Sequence, residues 1–211
     1  MNITPEELDA NGYVLMDEMN HADIKPFVKT YISKRTWYSS IYYLSVFLSF
    51  SLLLFYCVKV HYSHHYPLTK ILLRIGLGLL LTIVLVPVHE LIHGLAYRLM
   101  GAKNTSYDVH LTKFYFLAIA DKFVTNKQEF KIIALAPFLI ISSALTIAFF
   151  FTQEPWKVTL LTTLLIHSFA CSGDFALLSY FEFNKKKNIV TYDDKQNNVS
   201  FFFAKELNSR N

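Results

Sequence analysis

The stretch "LVPVHELIHGLAYRLMG", residues 85–101, holds two histidines and a glutamate in close succession: His89, Glu90 and His93. Residues four apart on a helix lie one turn apart on one face, so both imidazoles of a His-Glu-x-x-His reach a single Zn2+. The glutamate beside the first histidine is then placed to take a proton from metal-activated water. Random placement of this composition yields the motif in about one chain in a hundred. A carboxylate in an apolar run costs ~2.5–3.5 kcal/mol at a bilayer centre and persists where a partner or cavity offsets that cost. The bland alternative is two packed histidines and a snorkelling glutamate.

A catalytic zinc site takes a third protein ligand and leaves the fourth position to water. Asp174, in "HSFACSGDFALLSY", is the candidate, and depth is the reason. His93 and Asp174 stand a similar distance before Leu99 and Phe181, the inner ends of their apolar runs. At 1.5 Å per residue both fall roughly 10 Å inside the same boundary. Gly173 is expected to let helices approach closely there. His167 lies two turns from Asp174, about 10.5 Å along the axis. It reads as a packed polar residue, with a supporting contact, a substrate contact or an alternative ligand as the other options. Cys57 and Cys171 are the only cysteines; their different depths argue against a bridge, and both read as small apolar fillers.

The elements that position these groups follow from composition. The 211 residues are 53% hydrophobic and 17% charged, against roughly 25% charged in a soluble domain. Apolar runs of about 20 residues recur, each long enough for a ~30 Å hydrocarbon core. The expected fold is an all-α polytopic membrane protein with about four transmembrane helices, near 38–58, 71–99, 132–151 and 156–181. An N-terminal cytoplasmic segment (1–37) precedes this four-span core (38–181), and a β-prone cytoplasmic tail (182–211) follows. Thr4-Pro5-Glu6-Glu7 reads as a capped helix start that Gly12 ends.

Between the second and third spans, "TSYDVHLTKFYFLAIADKF" opens with period-2 alternation and predicts a small β-hairpin. Its edge is read either as a place for an extended peptide to pair or as a purely structural hairpin. His110 lies in this segment and is a candidate to reach the site. Pro137, in "ALAPFLI", removes one helical hydrogen bond and frees a carbonyl, either beside the site or at a plain kink. His61, His64 and His65 in "KVHYSHHYP" read as a solvated loop rather than a metal cluster.

Lys25, Lys29, Lys34 and Arg35, then Arg98 to Lys131, then Lys185-Lys186-Lys187 all fall on one side of the spans. The positive-inside rule makes that side cytoplasmic, with both termini there, in a multi-pass protein of the cell membrane. The formal charge of +4 serves topology, and no nucleic-acid partner is expected. The polar first 36 residues contain no apolar h-region, so no cleavable signal peptide is expected.

A His-Glu-x-x-His on an apolar helix, Ala136-Pro137-Phe138 in the next span and Ser172-Gly173-Asp174 in the last resemble the small bacterial membrane proteins classed as putative zincin peptidases. Those are distantly similar to the site-2 protease group of intramembrane metalloproteases. The resemblance covers roughly residues 80–180 and the tail hairpin. It implies His89 and His93 as zinc ligands, Glu90 as the catalytic base and Asp174 as third ligand. Site-2 proteases usually carry Leu-Asp-Gly and Asn-Pro where this chain has "SGDF" and "LAPF", so substrate-positioning residues do not carry over.

The resulting expectation is a zinc-dependent intramembrane endopeptidase with one Zn2+ per chain. Its partners would be the lipid bilayer and membrane-embedded or membrane-adjacent peptides cut near the cytoplasmic face. A non-catalytic zinc-binding membrane protein, structural or sensory, is the alternative.

Overall fold

The computed structural model describes residues 3–110 and 115–206. Uninterrupted apolar runs become helices because a helix satisfies every backbone hydrogen bond within its own segment. After a short helix α1 (Ile24–Ile32) come α2 (Trp37–Ser63), α3 (Leu68–Leu99) and α4 (Lys127–Phe151). The last three are each long and apolar enough to cross a membrane. The expected fourth span is broken: α5 (Trp156–Ala170) and α6 (Ser172–Phe183) meet at Cys171 with a 43° bend. Three helices therefore qualify, or four if the bent pair is one span.

The chain forms two compact units, residues 1–39, 90–136 and 173–211, and residues 40–89 and 137–172. In the second, α3 and α5 meet through small and hydroxyl residues. A Cβ at Gly78 would stand 2.6 Å from Thr162 Cβ, so only glycine admits this approach. Thr163 donates to the Gly78 carbonyl at 3.2 Å and Thr159 to that of Arg74 at 3.1 Å. Small residues and cross-helix hydroxyls are the usual means of helix contact in an apolar medium. Close approach was expected at Gly173 instead. A Cβ there would meet nothing within 4 Å, so that expectation is corrected.

The first unit corrects the all-α expectation. It holds a four-stranded antiparallel sheet of order β1-β6-β5-β4, built from β1 (Val14–Asn20), β4 (Thr125–Asn126), β5 (Lys187–Asp194) and β6 (Val199–Glu206). The tail hairpin β5–β6 is as expected; β1 is the strand the sequence concealed. Its "VLMDEMN" lacks clean alternation, and its register against β6 shifts between Leu15 and Asp17. Thr4 to Glu7 do form a capping box, but on a single 3-10 turn, and Gly12 follows in the left-handed region at φ 76°. Tyr180 and Phe181 of α6 pack with Phe130 and Ala134 of α4 against Ile189 and Phe202 of the sheet.

A separate two-stranded hairpin, β2 (Ser106–His110) and β3 (Tyr115–Ile119), follows α3 as expected. Residues 111–114 and the His110 side chain lie outside the described residues, and with them the expectation for His110.

Candidate metal centre

Helix α3 continues through Pro87 to Leu99, which places His89, Glu90 and His93 on adjoining turns of one helix. All three are buried. A ligand atom from each lies within 4.8 Å of the others, a spacing that suits a metal ion.

The surroundings of His93 define which ring atom is offered. Its Nδ1 lies 3.0 Å from the Ile133 carbonyl oxygen. A carbonyl only accepts, so Nδ1 carries the proton and a neutral ring has its lone pair on Nε2. Metal-binding histidines are commonly oriented in this way, by a hydrogen bond from the other ring nitrogen to a carbonyl. The Ile133 carbonyl has a reason to be available. In a helix it would accept from the N–H four residues on, and that residue is Pro137, which has none. The proline singled out in the sequence thus supplies an acceptor to the histidine, while α4 continues through it as one helix.

His93 Nε2 lies 3.2 Å from Asp174 Oδ1, and both side chains are largely buried. An imidazole lone pair and a carboxylate oxygen repel at that distance unless a positive centre lies with them. A proton or a cation meets that need, and two imidazoles with a carboxylate form a common zinc donor set. The buried histidines and carboxylates present suit a metal ion, and zinc is among those they fit.

Glu90 Oε2 accepts the backbone N–H of Ala118 at 2.7 Å. Strand β3 therefore spends this N–H on the glutamate rather than on its ladder with β2. The Tyr107 ring of β2 lies over Gly94, with its hydroxyl in the space that a Cβ would take.

A second group brings His167, an alternative ligand in the sequence, together with Cys171, which read as an apolar filler. His89 Nδ1 lies 3.4 Å from His167 Nε2, and Cys171 Sγ lies 3.7 Å from that same nitrogen. His89, His167 and Cys171 again have ligand atoms within 4.8 Å of one another. The sequence signal was present, because His167 and Cys171 are one helical turn apart, the spacing of the two motif histidines. His61, His64 and His65 form no such group among the described residues; His61 Nδ1 instead lies 3.0 Å from the Tyr66 carbonyl.

Residues 82–189, just over half of the chain, match the model of the family described as putative zincin peptidase. No curated protein and no solved structure matches the chain. The matched segment contains the His-Glu-x-x-His helix, Pro137, Cys171 and Asp174. The chain belongs to the putative zincin peptidase family.

Proposed function

We propose that this protein is a zinc-dependent membrane endopeptidase, with zinc held by His89, His93 and Asp174 and with Glu90 as general base. The observation that carries the reading is the arrangement around His93, with Nδ1 on the Ile133 carbonyl and Nε2 against Asp174. When bound, zinc would polarise a peptide carbonyl and lower the pKa of a water toward neutrality. Glu90 takes a proton from the attacking water and hands it to the leaving amine as the peptide bond breaks. The Ala118 N–H holds the Glu90 carboxylate in place by one oxygen. An extended substrate backbone would pair with the hairpin where its edge is free of Glu90, since strand addition orients a peptide through main-chain hydrogen bonds.

Apolar side chains exposed on α2, α3 and α4 support a bilayer as surroundings, and Lys and Arg near the helix ends support cytoplasmic termini. Substrates are then peptides embedded in the membrane or lying against it.

Zinc content of the detergent-purified protein tests this directly. About one zinc per chain is expected in wild type and Glu90→Gln, with loss in His93→Ala and Asp174→Ala. Zinc indifferent to Asp174→Ala would break the ligand set. Zinc retained with no cleavage of any membrane peptide, by wild type or in Glu90→Gln trapping, would favour a structural or sensory metal protein instead.

A further inference from the structure

We propose that His89, His167 and Cys171 form a second metal site, a thiolate site for a borderline or soft d10 cation such as Zn2+ or Cu+. It does not rest on the peptidase reading, although it shares His89 with it. Three observations carry it. First, the three side chains are 9%, 2% and 0% exposed, so a bound ion would be shielded from bulk water. Second, two of the three separations are those of ligands around one ion, and the third, His89 to Cys171, lies within 4.8 Å. Bond lengths of about 2.0–2.1 Å to nitrogen and about 2.3 Å to sulfur, at tetrahedral angles, place two nitrogens about 3.3 Å apart and a nitrogen and a sulfur about 3.6 Å apart. The structure has 3.4 Å for His89 Nδ1 to His167 Nε2 and 3.7 Å for His167 Nε2 to Cys171 Sγ. The first exceeds the ordinary reach of an N–H hydrogen bond, about 2.7–3.2 Å.

Third, the backbone holds the donors in register. His167 and Cys171 are tied across one turn by the Cys171 N–H to His167 carbonyl bond at 3.1 Å. The His89 ring faces the His167 ring at 65° with centroids 5.5 Å apart. Thiolate and imidazole together select Zn2+ or Cu+ over hard cations such as Mg2+ or Ca2+. Cation binding deprotonates Cys171 and releases that proton.

Cobalt(II) reports the site by spectroscopy without any activity. Full-length protein in detergent, stripped by chelator and titrated with Co2+, should develop a near-ultraviolet thiolate-to-cobalt charge-transfer band. The band should vanish in Cys171→Ser, fall in His167→Ala and persist in Cys57→Ser, which removes the other cysteine. It should also persist in Asp174→Asn, which leaves these three donors in place. Visible cobalt bands without a charge-transfer band in wild type would overturn the thiolate site. If those visible bands were then lost in Asp174→Asn, the peptidase ligand set would stand by itself. No cobalt bound by wild type would overturn both.

Discussion

In residues 40–89 and 137–172, Phe47, Leu80, Ile83 and Phe150 are each more than half exposed, while Thr159, Thr162 and Thr163 are buried. In the other unit Tyr180, Phe181 and Phe202 are about 1% exposed, although Trp37 and Phe183 stay on the surface. The contrast lies in what fills the two interiors, hydroxyl residues between helices in one and an aromatic cluster in the other. Where the surround is apolar, exposing Leu and Phe costs nothing, and helices associate through close packing and hydroxyl bonds instead. Where the surround is water, removing aromatic area from solvent drives packing. Helix α3 contributes to both units, and the division between them falls between His89 and Glu90. Along the sequence, His89 falls on one side of that division and Glu90 and His93 on the other.

The largest expected effect tests the role of that position. Glu90→Gln should lower peptide cleavage by about 10²–10⁴-fold, the range for removing a general acid–base, with zinc content unchanged. Parallel loss of zinc would make Glu90 a ligand rather than a base. Next is the contrast between interiors. Phe202→Ala should cost about 3–5 kcal/mol, as ring deletions from a packed core do, whereas Phe47→Ala should stay within about 0.5 kcal/mol, as exposed substitutions do. Thermal unfolding in detergent compares them, and equal losses would break the comparison.

Pro137→Ala returns an N–H that competes for the Ile133 carbonyl and loosens His93. Zinc affinity measured by chelator competition should fall about 10–100-fold, as for other partners that orient a ligand. Unchanged affinity would leave Pro137 a plain helix proline. Gly78→Ala should cost about 1–3 kcal/mol by overpacking α3 against α5. The same change at Gly173 should be close to neutral, since a Cβ there meets nothing.

The smallest effect lies in the sheet. Burial pushes the Asp193 carboxyl above its usual range, while the Ser200 hydroxyl, donating at 2.6 Å, and the nearby His21 ring pull it back. A raised folded-state pKa means the folded chain holds this proton more tightly than the unfolded chain. That contribution to stability is complete below the unfolded pKa and is lost as pH rises through the folded one. Asp193→Asn should therefore flatten the decline in melting temperature on raising the pH from that acidic range to neutrality. An unaltered slope would refute the assignment.

The motif histidines, Glu90, Asp174 and the apolar helices were legible because each is a local pattern: a spacing, a run length or an acid out of place. The tail hairpin was legible for the same reason, with turn residues between β-prone runs. Strand β1 was not, because its conformation comes from pairing with β6, far away in the chain. The bend at Cys171 was equally hidden, since no proline or glycine occupies that residue to announce it.

Sequence alone determined that two imidazoles and a carboxylate share a helix, because a helical turn needs no tertiary information. It also determined that a carbonyl must be freed by Pro137, because proline has no N–H to give. Only the tertiary structure decided where that carbonyl goes, to His93, and that His167 and Cys171 meet His89. Those contacts join separate helices, and their distances depend on how side chains pack, which no spacing along one segment encodes.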